Sequence, residues 1–260
     1  MKYLLYGHNN WIGTHVKELL NTPILCNIDL EEYDDLRKEV LTIYPDRIIY
    51  VCVNENNNLY TNLKNYLQKP LNISKICCDN KIHFTYINCG DIFNNNNNYS
   101  FIEYNKSNIK NSELHIIKGM VDQLIRNKNT LNIRLRMPIV EYDHINNFIY
   151  KIIKNKKVCD IQNSMSVLPE LLPNIIGLLN KGIIGTINFT NPGSISVNEI
   201  LHLYKDIIDN DLDMENMENE KFQEFNCNLD TIKLQNLCPN IKNIKDSIID
   251  ILKNYKYIKF

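Results

Sequence analysis

KYLLYGHNNWIGTHVKELL, residues 2–20, decides the fold. KYLLY is a short apolar run of the kind a buried strand makes, and WIGTHVKELL sets Ile12, Val16, Leu19 and Leu20 on one face of a helix. The turn between them holds Gly7 and Gly13 at the outer positions of a dinucleotide-binding fingerprint. There the first glycine closes the turn and the last lets the helix pack on the strand. Asn10 takes the middle position, where glycine normally lets backbone approach a pyrophosphate. Asparagine tolerates left-handed backbone, so the turn is expected to survive, with the Asn10 side chain crowding the phosphates. Gly7, Asn10, Trp11, Ile12 and Gly13 are therefore the candidate cofactor residues. The motif alone reads equally as a nucleotide cradle or as a turn that packs and binds nothing.

Outward from this stretch, strand-like runs alternate with helical spacing: ILCNI (24–28), a helix over 30–44, RIIYVCV (47–53), a helical segment broken at Pro70, IHFTYINC (82–89), a helix over 112–128 and LNIRLRMPIV (131–140). That alternation predicts an α/β protein with a Rossmann-type, doubly wound parallel sheet. From residue 141 helical segments dominate, which predicts a smaller, mostly helical substrate lobe over 141–260 following a dinucleotide-binding region over 1–140, the two interleaved as one structural unit. NNNNN (94–98) and the acidic stretch 209–224 read as surface loops. Asp29, just past the second strand, is the candidate partner for a ribose hydroxyl. No arginine stands beside it to meet a 2′-phosphate, so NAD and NADP both remain open.

Composition narrows the function classes. The 260 residues carry a formal net charge of −1, which gives no basic footprint for nucleic acid. No apolar run is long enough to span a membrane. The eight cysteines form no CxxC pair and several lie in apolar runs, so reduced thiols in a cytoplasmic protein are expected, with no metal site. Only 8 glycines are present, about 3% against the usual ~7%, an early sign that a glycine-dependent site is altered.

GHNNWIGTHVKELL, FTYINCGDIF, RLRMPI, NNFIYKI, IQNSMSVLPELLP and GTINFTNPGSISVNEIL, in this order, resemble one family. These are the extended short-chain dehydrogenase/reductases that finish UDP-L-rhamnose synthesis. They comprise the bifunctional UDP-4-keto-6-deoxyglucose 3,5-epimerase/4-keto-reductases of plants and giant amoebal viruses, with bacterial dTDP-4-dehydrorhamnose reductases as more distant relatives. The resemblance covers nearly the whole chain, and RMPI, NSM and NFTNPG are its most specific parts. It implies NADP or NAD as cofactor, a nucleotide-sugar as substrate, and a homodimer or a regulatory partnership with a related enzyme. It also implies a tyrosine general acid four residues before a lysine. Here the lysine is Lys118 and the tyrosine position holds Leu114, which cannot donate a proton. His115 is the nearest titratable neighbour in sequence, about 100° round the helix.

The family's Thr-Gly-Cys strand end reads Cys89-Gly90-Asp91, so a weak donor replaces the threonine and a carboxylate replaces the cysteine. Its later lysine matches Lys151, and its nucleotide-sugar contacts match Arg136, Asn147, Asn163 and Met165. Glu55, in the loop after the third strand, is expected to repel a pyrophosphate. Catalysis would thus rest on Lys118, Cys89, Asp91 and Lys151. Ketone reduction is expected to be lost or slow, and epimerisation through Asp91 and Lys151 to outlast it. The alternative is a non-catalytic protein that binds a nucleotide-sugar or regulates a related enzyme on the same scaffold.

Overall fold

A computed structural model describes residues 1–26, 28–52, 58–94, 99–126, 129–155, 157–158, 160–212, 215–216 and 227–256. Contacts divide the chain into two compact units: Met1–Ile92, Tyr104–Arg134 and Ile175–Ile187 form the first, and Phe93–Glu103, Leu135–Asn174 and Asn188–Phe260 the second.

The opening stretch folds as β1 (Tyr3–Tyr6), buried along its length, and α1 (Trp11–Leu19), which turns Ile12 and Val16 inward. β2 (Ile24–Leu25) is shorter than the run ILCNI suggests, and α2 (Tyr33–Ile43) and β3 (Arg47–Val51) follow. The expected break at Pro70 does not occur. α3 (Leu59–Asn62) runs through a π-helical turn (Leu63–Gln68) into α4 (Lys69–Asp79), which has Pro70 in its first turn. Proline has no N–H to give the ladder and crowds the preceding turn, and the widened turn before it accommodates both defects.

β4 (His83–Cys89) comes next, then β5 (Ser100–Phe101) and α5 (Glu113–Leu124). In the run 131–140, expected as a strand ended by Pro138, β6 (Thr130–Leu135) stops just before that proline, Met137 takes a left-handed φ of 40°, and a separate β7 (Pro138–Ile139) follows. The remaining elements are α6 (Phe148–Asn155), β8 (Lys157–Val158), β9 (Ser166–Val167), α7 (Leu168–Asn180), β10 (Gly185–Asn188) and α8 (Val197–Ile207). They are followed by β11 (Glu215–Asn216), β12 (Asn228–Leu229), α9 (Ile232–Leu237) and α10 (Ile244–Lys253).

The first unit is built on a six-stranded parallel sheet of order β10-β6-β4-β3-β1-β2, a Rossmann-type architecture. The chain leaves β1 for β2 on one side and continues from β3 outward on the other. The winding direction therefore reverses between β1 and β3, and ligands of such sheets bind beyond the carboxyl ends of the strands at that point. Leu4, Tyr6, Leu36, Ile48, Phe84 and Val121 belong to the core of this unit. The core of the second unit gathers Ile149 of α6, Ile200 and Tyr204 of α8, and Ile248 and Leu252 of α10. Among the described residues no helix is long and apolar enough to cross a membrane, and no group of three His, Cys, Asp or Glu could hold a metal ion.

Candidate functional site

A cavity of about 300 Å³ lies where the sheet's winding reverses. Gly7 follows β1, Val51 and Cys52 end β3, and Cys26, Ile28 and Asp29 follow β2; all of them line it, together with Asn10, Asn65 and Lys69. Its volume is at the lower end of the range of small-molecule sites. Gly7 has φ +77°, and a Cβ there would stand 2.1 Å from the Val51 carbonyl oxygen. Gly13 packs so closely that a Cβ would stand 1.9 Å from the Gly7 carbonyl oxygen. Both outer glycines are thus needed for the turn itself. The N-terminus of α1, with its positive end of the helix dipole, opens beside this cavity at Asn10.

Asn10 differs from expectation. Its backbone is extended, with φ −85° and ψ 163°, and not left-handed. Its side chain is also committed elsewhere: Oδ1 accepts from the Gly13 N–H at 2.7 Å and Nδ2 donates to the Val51 carbonyl at 2.8 Å. Asn10 therefore caps α1 and straps the turn to β3, instead of lying loose across the phosphate path. Trp11 is half-buried against the edge of His15, and Ile12 is a core residue. Asp29 is exposed, and its carboxylate accepts from the Glu31 N–H at 2.9 Å.

Lys118 is 1% exposed, on the sheet-facing side of α5. Its ammonium lies 5.1 Å from the centroid of the Tyr66 ring, in the π-helical turn. Leu114, one turn earlier, packs against the apolar core. His115 bonds Ser112 Oγ at 2.6 Å, so Ser112 stands at the N-cap of α5 without capping it through its side chain. At the end of β4 the Cys89 thiol donates to Asp91 Oδ2 at 2.7 Å. Burial, then the neighbouring Asp91 carboxylate, push that thiol up to about 12 against the pull of Lys118. Cys89 is thus a neutral donor near pH 7, and Asp91 is the proton acceptor of the pair. The Cys52 thiol is likewise raised, to about 11, by burial.

Lys118 is anchored through its helix. One turn on, Asp122 accepts from Arg134 of β6 through two bonds, at 2.8 and 2.7 Å, and from Arg126 at 2.9 Å. Arg134 thus serves a structural carboxylate inside the first unit.

The substrate candidates lie in the second unit with Lys151, which is exposed on α6. Met165 is fully buried and packs in the core of this unit. Asn147 is also fully buried, and its amide caps the start of α6 and holds the Val140 and Tyr142 carbonyls, which leaves it a structural part. Asn163 accepts from Arg136 at 2.8 Å and from the Cys227 N–H at 3.0 Å, and donates to Ile161. Ser166 accepts from the Arg136 N–H and donates to the Phe189 carbonyl. RMPI, NSM and NFTNPG are therefore conspicuous partly because they bond to one another. Glu55 and Cys159 lie outside the described residues. Sequence reading missed Asn65, Lys69 and Tyr66, which reach the site from a helix with no motif of its own. Cys26, Val51 and Cys52 were recoverable, as residues at the carboxyl ends of strands flanking the reversal.

The fold and cavity are those of Rossmann-type nucleotide-binding proteins. No family profile matches the chain. It is 33% identical to protein L780 of Acanthamoeba polyphaga mimivirus over 287 aligned positions, covering 99% of both chains. A crystal structure described as the L780 UDP-rhamnose synthase superposes with a TM-score of 0.90 at 32% identity, over 98% of this chain and 99% of that one. An Arabidopsis thaliana bifunctional dTDP-4-dehydrorhamnose 3,5-epimerase/dTDP-4-dehydrorhamnose reductase is 29% identical, over 95% of this chain and 91% of its own length. The Bacillus anthracis dTDP-4-dehydrorhamnose reductase in complex with NADP has a TM-score of 0.80 at 15% identity, covers 98% of this chain and 99% of its own, and shares the fold. The chain belongs to the UDP-rhamnose synthase family of epimerase/reductases, within the extended short-chain dehydrogenase/reductases.

Proposed function

We propose that this chain binds a nicotinamide dinucleotide and a UDP-4-keto-6-deoxyglucose-like nucleotide-sugar, that it retains 3,5-epimerisation, and that its 4-keto reduction is strongly weakened. The observation that carries this reading is Leu114 packed on the apolar core one turn before the buried Lys118. The reduced cofactor, when bound, supplies hydride. In the family the tyrosine gives the carbonyl oxygen its proton, and an alkyl side chain cannot. Loss of a positioned general acid costs ~10²–10⁴-fold in rate. The glycine turn, the cavity and the dipole of α1 support the cofactor half. Proton exchange beside the ketone needs an acceptor and no hydride. Asp91 supplies one in the first unit; in the second unit Lys151, Arg136 and Asn163 are candidates from family position alone, the first as a proton donor and the others as sugar-nucleotide contacts. The free cysteines suit a reducing compartment such as the cytosol.

Solvent-deuterium incorporation into UDP-4-keto-6-deoxyglucose without cofactor tests this reading. Incorporation at the carbons flanking the ketone is expected and should be lost in Asp91→Asn. Binding of the sugar nucleotide without incorporation would support a non-catalytic binding protein instead.

We also propose self-association. The outward face of α5 carries Ile116, Met120 and Leu124, and adjoining α3 and the π-helical turn expose Leu59, Tyr60 and Leu63. A helix apolar on both faces calls for cover, and a homodimer interface takes about 800 Å² per partner, roughly 65% apolar. Sedimentation should give a dimer that Met120→Glu dissociates; a wild-type monomer would contradict this.

A further inference from the structure

Lys118 carries its ammonium into the interior of the first unit, at 1% exposure, and the Tyr66 ring lies against it. The 5.1 Å from ammonium to ring centroid is within the ~6 Å over which a ring face attracts a cation. Burying a cation costs free energy that its neighbours must offset. Cys52 and Cys89, at the ends of β3 and β4, both feel the Lys118 charge, but burial keeps both thiols protonated near pH 7. The carboxylates of this neighbourhood have other bonds to serve. Asp122, one turn along α5, accepts from Arg134 and Arg126, and Asp91 accepts from the Cys89 thiol. A ring face attracts an ammonium without accepting one of its protons as a carboxylate does, so it leaves the N–H donors for other partners.

Tyr66 is held firmly where it meets Lys118. It is 1% exposed and belongs to the π-helical turn, a local widening of a kind frequent at functional sites. That turn is pinned to β3, because the Asn65 carbonyl accepts from the Tyr50 hydroxyl at 3.1 Å and from the Cys52 thiol at 3.2 Å. It is pinned also to the β2–α2 connection, where Glu31 pairs with Lys64 of the turn and with Lys69 just after it. Its inner side packs on α5. Cys52, which feels the Lys118 charge, lines the cavity at the sheet reversal, so the charge that the ring attracts acts at the wall of that cavity.

We propose that Tyr66 is a positioning residue for Lys118: its ring face holds the ammonium beside the end of β3, where the ammonium donates to a hydroxyl of the bound dinucleotide. The inference rests on the cofactor reading above. It gives the π-helical turn a task beyond packing, and it assigns that task to a residue with no motif around it.

Calorimetric titration of the full-length protein with NADH and with NADPH, reading whichever binds more tightly, tests this. Tyr66→Leu should weaken binding by ~10-fold. Tyr66→Phe keeps the ring face and should avoid most of that loss. Lys118→Met should weaken binding as well. Adding Tyr66→Leu to it should then cost little more, because no ammonium remains for the ring to hold. Urea unfolding checks that each variant is folded, and Tyr66→Met, whose flexible side chain adapts to the space left, takes the place of Tyr66→Leu if that variant does not fold. Losses that multiply in the double variant overturn the proposal, since Tyr66 would then act by packing alone. Full binding by a folded Tyr66→Leu also overturns it, as does Tyr66→Phe binding as weakly as Tyr66→Leu. If neither dinucleotide binds the folded wild type, the cofactor reading itself falls, and this inference with it.

Discussion

Leu114 and Lys118 stand one turn apart on α5 in contrasting surroundings: Leu114 packs with the apolar core, and Lys118 is buried with its ammonium 5.1 Å from the Tyr66 ring centroid. Residues four apart share a helix face, so a hydroxyl carried at 114 would stand close to that ammonium, which would favour its ionised form. Leu114→Tyr should raise ketone reduction by ~10²–10⁴-fold. Steady-state oxidation of the reduced cofactor against UDP-4-keto-6-deoxyglucose reads this directly. An unchanged rate would place the defect elsewhere than at the missing hydroxyl.

Asn10 ties α1 to β3 through Gly13 and Val51. Asn10→Ala should remove the cap and the strap, and cost about 1–2 kcal/mol of stability in urea unfolding. No loss would mean that the turn is held by glycine packing alone.

Burial pushes the Asp122 carboxyl up, but the hydrogen bonds and charge of Arg134, then Arg126, overcome that and hold it below its ordinary value of 3.8. A carboxyl lowered by folding contributes stability that is present above that value and is lost as pH falls through it. Asp122→Asn leaves two guanidinium groups short of their anion and should cost about 3–5 kcal/mol near neutral pH. The variant should also lose less stability than the wild type on acidification. Matching acid profiles would refute this role.

At alkaline pH the thiols decide. Burial is the first cause raising Cys89 and Cys26 to about 12 and Cys52 to about 11, from an ordinary 9.0. Folding favours the protonated thiols, so their contribution is complete below pH 9 and is lost as pH climbs toward 12. Unfolding midpoints should stay level up to about pH 9 and then fall. Cys89 should alkylate slowly near pH 8 compared with a free thiol, because little thiolate is present. Rapid alkylation there would contradict the raised thiol.

How legible these features were depended on their range. β1, α1 and the glycine turn follow from local pattern and steric need, and the alternation of strands and helices was enough for the sheet. The continuity of α3 and α4 through Pro70 was not legible, because a π-helical turn leaves no periodic signature. The split at Met137 depended on one left-handed residue. At the site, Leu114 was readable as a chemical loss from the family resemblance alone. Asn10 was misread because its partner Val51 lies 41 residues away. Met165 and Asn147, matched by family position, proved to be core and cap, since position in a motif does not reveal what a side chain touches. The Glu31–Lys64–Lys69 cluster joins the β2–α2 connection to the π-helical turn and α4, and only the fold brings those segments together.

The most direct test of the central claim follows reduced-cofactor absorbance and solvent-deuterium exchange on one sample of the wild-type protein with UDP-4-keto-6-deoxyglucose and NADH. The account predicts deuterium in the sugar while NADH is consumed at least ~10²-fold more slowly than by Leu114→Tyr. Rapid, substrate-dependent NADH oxidation by the wild type would contradict it, because Leu114 would then not have removed the proton donor that reduction needs.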